Sequence, residues 1–141
     1  LLPHSIMATL RFTGNYNKKD EKRKSIAQVG VNLSVLVFKE NNIIFFYSPA
    51  LDITGYGKDE VEAKHSFEVS LDEFINYTIH KGTFQVELEK LGWKCLKKKS
   101  TVKFEQPDYK ELAKKNDYLD DILRNKAFTT RKTNINLPVC A

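Results

Sequence analysis

The stretch Ile43-Ile44-Phe45-Phe46-Tyr47-Ser48-Pro49-Ala50-Leu51-Asp52-Ile53-Thr54-Gly55-Tyr56-Gly57 decides the fold. Its first residues are β-branched or aromatic, the composition of a half-buried strand. Pro49 has no N–H to give to a ladder, so that strand ends near Ser48. Leu51, Ile53 and Tyr56 suit a third short strand returning onto it, with Asp52 on that strand. Gly55 and Gly57 supply the backbone freedom to turn into whatever follows.

Toward the N-terminus, Val31, Leu33, Val35 and Val37 alternate with Asn32, Ser34, Leu36 and Phe38, the period of a strand. Glu40-Asn41-Asn42 is a turn signal because Asn tolerates positive φ, so the two runs form an antiparallel hairpin. Toward the C-terminus, Asp59 is a helix N-cap with Glu62 three residues on. Ala63, Phe67, Ser70, Leu71, Phe74 and Thr78 recur at helical spacing and cover one face, leaving Val61, His65, Glu68, Asp72 and Ile79 largely on the other. Gly82, after His80-Lys81, terminates this helix. Thr83 opens a short helix through Leu91 that Gly92 closes. Trp93 to Leu96 and Thr101 to Phe104 read as a further hairpin. Pro107 opens a helical segment with Tyr109, Leu112, Ala113, Leu119, Ile122 and Leu123. Ile135, Leu137 and Val139 alternate in a last strand. At the other end, Ala8 to Phe12 suits a short strand, and Gly14 to Ser25 is charged without apolar periodicity, as in a flexible arm.

The expected architecture is α+β: a small antiparallel sheet of three to four strands packed on one long helix, with helices on one face and a C-terminal helix and strand extension. Residues 1–25 form a basic arm in this reading, 26–105 the α+β domain, and 106–141 the extension.

Charge is segregated along the chain. Residues 1–30 carry +4, residues 31–90 carry −5 and residues 91–141 carry +6, for a net +5. An acidic middle suits a basic partner and basic flanks suit nucleic acid, although a solvated surface with chance segregation reads the same way. No apolar run approaches the roughly 20 residues that span a bilayer. The first residues lack a basic region followed by an apolar core, so a cytoplasmic protein without membrane attachment is expected. Cys95 and Cys140 have no metal-ligand spacing and read as ordinary small apolar residues with free thiols.

Gly55-Tyr56-Gly57 before a helix invites a phosphate-loop reading, but Asp59, Glu60 and Glu62 in the first turn repel a phosphate. A tight strand-to-helix connection explains the glycines better. Asp52, Asp59, Glu60 and Glu62 suggest a hard cation or an acid–base pair. Against this, Glu60 and Glu62 point in different directions on a helix, and Asp59 is a cap. His4, His65 and His80 are scattered, and no Ser or Cys accompanies a His as a nucleophile would. No enzyme activity, metal or cofactor is expected. Lys97-Lys98-Lys99, with Lys94 and Lys103 near and Trp93 and Phe104 flanking, can track a phosphate backbone while aromatics stack on bases. Protection of a strand edge explains the same lysines better, because Trp93 follows the Leu91-Gly92 helix end and packs inward.

The order Phe46-Tyr47-Ser48-Pro49-Ala50-Leu51-Asp52, Gly55-Tyr56-Gly57, Glu62-Ala63 and Leu88-x-x-Leu91-Gly92-Trp93 resembles the HicB family of antitoxins, over roughly Val31 to Trp93. The resemblance implies a partial ribonuclease-H-like fold without that fold's catalytic carboxylates. It implies a protein that binds and neutralises a small basic HicA-type RNA-cleaving toxin, and a homo-oligomer is expected. The −5 charge of residues 31–90 suits such a partner and points to Asp52, Glu60, Glu68 and Asp72 as the partner-binding acids. Two features depart from the family: the chain is basic as a whole, and it stops after Thr133-Asn134-Ile135-Asn136-Leu137-Pro138, before the two helices that complete a DNA-binding ribbon. The competing expectation is a stand-alone nucleic-acid-binding module that uses the basic flanks, with Lys97, Lys98 and Lys99 as its contacts.

Overall fold

The computed structural model describes residues 27–98 and 101–139. The expected strand at Ala8 to Phe12, the arm at Gly14 to Ser25, His4, Lys99 and Cys140 lie outside the described residues. Strands β1 (Ala27–Glu40), β2 (Ile43–Ser48) and β3 (Ile53–Gly57) are joined in antiparallel register, Leu36 opposite Tyr47 and Phe46 opposite Gly55. The turn between β1 and β2 is Asn41-Asn42, with φ of 53° and 64°. Two successive left-handed residues match the twist of a hairpin, and Asn accepts that conformation more readily than most side chains.

Helix α1 (Glu60–Lys81) follows β3. Asp59 accepts the Glu62 N–H at 2.9 Å, and the Glu62 carboxylate accepts the Lys58 N–H at 2.9 Å. Gly82, at φ 70°, ends the helix, its N–H and that of Thr83 returning to the Ile79 and Thr78 carbonyls. Such a left-handed cap satisfies carbonyls that the last turn leaves open. Helix α2 (Phe84–Lys90) and the hairpin β4 (Lys94–Lys98) and β5 (Thr101–Glu105) come next, the hairpin forming its own two-stranded sheet. Helices α3 (Tyr109–Lys115) and α4 (Asp117–Asn125) lead into β6 (Phe128–Val139).

The main sheet has the order β3-β2-β1-β6, an α+β fold with a four-stranded antiparallel sheet on a long helix, as expected. The last strand runs antiparallel to β1 from Phe38–Phe128 to Ala27–Val139, so the C-terminal segment supplies an integral strand of this sheet.

Helices on one face only was the expectation, and here the structure differs. Leu33, Val35 and Val37 of β1 join Phe46, Phe67, Leu71, Ile75 and Trp93 in the larger core. Leu36 and Phe38, on the alternate positions, join Tyr47, Leu119 and Ile122 in a second core. Residues i and i+1 of a strand face opposite ways, so a strand apolar at both is covered twice. The α1 face is buried at Ala63, Phe67, Leu71, Ile75 and Thr78. Ser70 and Phe74, expected in that face, are half-buried, and Ile79, expected on the far side, packs against the core.

The single helical segment expected after Pro107 is two helices broken at Asn116. The Asn116 side chain accepts the Leu119 N–H at 3.0 Å and so caps α4. Asn116 itself is extended, at φ −126° and ψ 98°, which no continuous helix allows.

Candidate functional site

Gly55 and Gly57 owe their place to close approach. A Cβ built at Gly55 would collide with the Phe67 backbone, and one at Gly57 with Glu62 and Ala63. Both glycines therefore let β3 lie directly against the first turns of α1. This accounts for the Gly-x-Gly pattern without a phosphate.

The four acids expected to bind a partner sit in different settings. Glu60, at the start of α1, places both carboxylate oxygens on the Arg131 guanidinium of β6, one pair being Nη2 to Oε2 at 2.9 Å. Arg131 also lies over the Phe46 ring, 6.0 Å from its centre. A planar guanidinium matches a carboxylate through two parallel N–H bonds, so Glu60 is committed within the fold. Glu68 and Asp72 are one turn apart on α1, both half-buried. Asp72 keeps Oδ1 enclosed without a hydrogen-bond partner among the described residues.

Asp52 is tied to the other layer. It lies in the turn before β3 rather than on the strand, at φ 55°, with an exposed side chain. The Tyr47 hydroxyl donates to Asp52 Oδ1 at 2.7 Å and accepts from Asn116 Nδ2 at 2.9 Å. Tyr47 is 1% exposed, so its hydroxyl would be costly to leave unpaired. Burial first, and then the hydrogen bond to Asp52, push its phenol well above the ordinary range. Burial likewise raises Tyr109 to about 12, and its hydroxyl donates to the Ser34 carbonyl at 3.1 Å.

Of the basic run, Lys97 and Lys98 belong to β4, with side chains outside the described residues, while Lys94 and Lys103 are exposed. Trp93 is 3% exposed and donates its indole N–H to the Ala50 carbonyl at 2.7 Å. Its ring meets Phe104 edge-on, 6.4 Å between centres. It is a core residue and offers no face to a base. His65 and His80 are exposed, and no group of three or more His, Cys, Asp or Glu among the described residues is placed to hold a metal ion.

The sequence reading missed Arg131, Asn116 and the part played by Tyr47. For Asn116 a signal existed: Asn followed by Asp117 and Asp120 is a helix start. For Arg131 and Tyr47 there was none, since their partners are remote in sequence. No family model matches the chain, and no curated protein or solved structure matches it.

Proposed function

We propose that the chain acts by binding, as a HicB-like antitoxin that masks a small basic HicA-type RNA-cleaving protein in the cytoplasm. One observation carries this reading: the residues of the resemblance are the joints of a single β-β-β-α unit. Gly55 and Gly57 seat α1 on β3. The Trp93 indole closes α2 onto Ala50 in the turn before β3. That unit, residues 31–90, carries −5, which complements a basic partner. With Glu60 committed to Arg131, the free acidic surface falls to Glu68 and Asp72, joined by the exposed Glu73.

The test is co-purification of the tagged chain with small basic proteins encoded beside it, followed by an RNA-cleavage assay of the partner with and without the chain. A stoichiometric complex in which cleavage is suppressed supports the reading. A partner that cleaves equally well in its presence overturns it.

A second reading rests on the β4–β5 hairpin, a separate two-stranded sheet with Lys94 and Lys103 exposed. Nucleic-acid binding there weakens steeply with added salt through counterion release. A purified chain that retains RNA or DNA only at low salt, with no protein partner, favours this reading over the first.

A further inference from the structure

A cleft of about 540 Å³ opens where four segments converge: the Pro49–Asp52 turn, the end of α2 with the start of β4, the β5–α3 linker, and α3. Its volume falls within the range of small-ligand sites. Leu91, Pro107 and Leu112 give it apolar walls, and Asp52, Lys94 and Lys115 bring charges of both signs to it. Glu105, Asp108 and Glu111 add carboxylates and Lys90 a further cation to the same lining, so a ligand carrying both signs is matched better than a simple anion or a simple cation.

Asp52 is the group with the most developed support. Its Oδ1 is held by Tyr47, and Tyr47 in turn by Asn116, which caps α4. Two buried or half-buried side chains on different elements thus fix one carboxylate at the cleft. The fold does not require the charge. An Asn at this position would accept the same hydrogen bond and would sit at φ 55° at least as readily. What Asp52 adds is a preoriented negative charge in a cleft that also holds exposed lysines. A fixed carboxylate is matched best by a guanidinium, whose planar fork loses little freedom on pairing.

We infer that this cleft binds a short peptide of mixed charge, seating an arginine side chain on Asp52 and a carboxylate on Lys94 and Lys115, with the backbone between them on the apolar walls. The volume accommodates about two or three residues. This site is separate from the acidic surface of α1 and stands whether or not the antitoxin reading does.

The test titrates the full chain with the tripeptide Ala-Arg-Glu, acetylated at its N-terminus and amidated at its C-terminus so that only the side chains carry charge, and follows backbone amide resonances; the variant peptides below are capped in the same way. Saturable shifts at the Asp52 turn, at Gly92–Lys94 and in α3 are expected. Replacing arginine by citrulline, which has the same shape but no charge, should weaken binding about tenfold, the scale of one charge-assisted hydrogen bond. In Asp52→Asn that difference should vanish, which a merely structural role for Asp52 does not produce. Lys94→Met, at an exposed position, should weaken Ala-Arg-Glu but leave Ala-Arg-Gln unchanged. No saturable shift up to about 10 mM, where only very weak binding escapes detection, overturns the inference. So does an arginine-to-citrulline difference of equal size in Asp52→Asn and the parent protein.

Discussion

The two faces of β1 are built on different principles. The α1 face is held chiefly by apolar bulk: Leu33, Val35, Val37, Phe46, Phe67, Leu71 and Ile75 form one continuous core, with the Trp93–Ala50 hydrogen bond and the Glu60–Arg131 pair as its polar ties. The α3–α4 face buries fewer apolar residues, chiefly Leu36, Phe38, Leu119 and Ile122, and adds specific polar ties. Those ties are Tyr47 to Asp52 and Asn116, Tyr109 to Ser34, and Lys126 to Glu40 at 2.5 Å. Apolar burial is undirected and scales with area, whereas a buried hydrogen bond adds little net stability but costs much when half of it is lost. The first face therefore supplies stability, and the second supplies a defined position for two short helices that would be marginal alone.

The difference is broken most severely from the α1 side. Phe67→Ala removes a side chain that is 0% exposed and should cost about 3–5 kcal/mol in urea unfolding. Because α1 and the sheet share that core, the loss should be cooperative, with amide protection falling throughout β1, β2, β3 and α1 together. Leu119→Ala removes an equally buried side chain from the other face and should cost about 2–4 kcal/mol. Its protection loss should concentrate in α3 and α4 while α1 stays protected. Equal loss in both layers would mean that the two faces are one cooperative unit.

How far each face could be read in advance follows the same division. The α1 face is periodic in the sequence, so Ala63, Phe67 and Leu71 are marked as inward by their spacing alone. Ile75 is hidden in the sequence because Phe74 beside it also fits the helical spacing, whereas in the structure Ile75 is buried and Phe74 half-buried. The alternation at Val31 to Phe38 is legible as a strand, and Leu36 and Phe38, apolar at the alternate positions, are the sign of a second covered face. The acids expected to bind a partner depend on topology rather than on periodicity. Glu60 looked free on a helix surface until β6 brought Arg131 to it from 71 residues away. Asp52 was placed on a strand because nothing local announces that its carboxylate is held by Tyr47. Pattern along the chain reports local periodicity, and these pairings depend on topology.

A smaller effect isolates the polar ties. Tyr47→Phe keeps the buried ring and removes one hydroxyl, leaving the Asp52 carboxylate and the Asn116 amide without a shared partner. Destabilisation of about 1–3 kcal/mol is expected, read as a shifted urea midpoint at unchanged slope. A change within a few tenths of a kcal/mol would place the weight of the α3–α4 face on apolar packing after all.

Alkaline titration sharpens the same point. Tyr109 is raised to about 12 by burial from an ordinary value near 10, so the fold favours its neutral form. A phenol raised on folding contributes stability that is complete below pH 10 and lost as pH climbs toward 12. Tyr47, raised in the same direction, adds to the trend. Unfolding free energy should therefore fall between about pH 10 and pH 12. Tyr109→Phe should lose less over that interval, although it starts lower for want of the bond to Ser34. Parallel pH profiles for the two proteins would remove Tyr109 from the account.

The smallest expected effect lies on the outer surface of α4. Arg124 pairs with Asp120 at 2.8 Å, one helical turn away, but its side chain is 73% exposed. Solvent screens such a pair, and ordering two long side chains offsets much of its attraction. Arg124→Ala should therefore leave the urea midpoint nearly unchanged, and all the more so in high salt. Lys126 offers the contrast on the same layer. Its side chain is 19% exposed and reaches both Glu40 of β1 and Asp121 of α4, so Lys126→Met removes a tie between layers. If the polar ties position this layer, Lys126→Met should cost more than Arg124→Ala and should raise amide exchange in α4 selectively. If the two substitutions are indistinguishable, α4 is held by Leu119 and Ile122 alone, and the two faces of β1 differ in the amount of apolar packing rather than in kind.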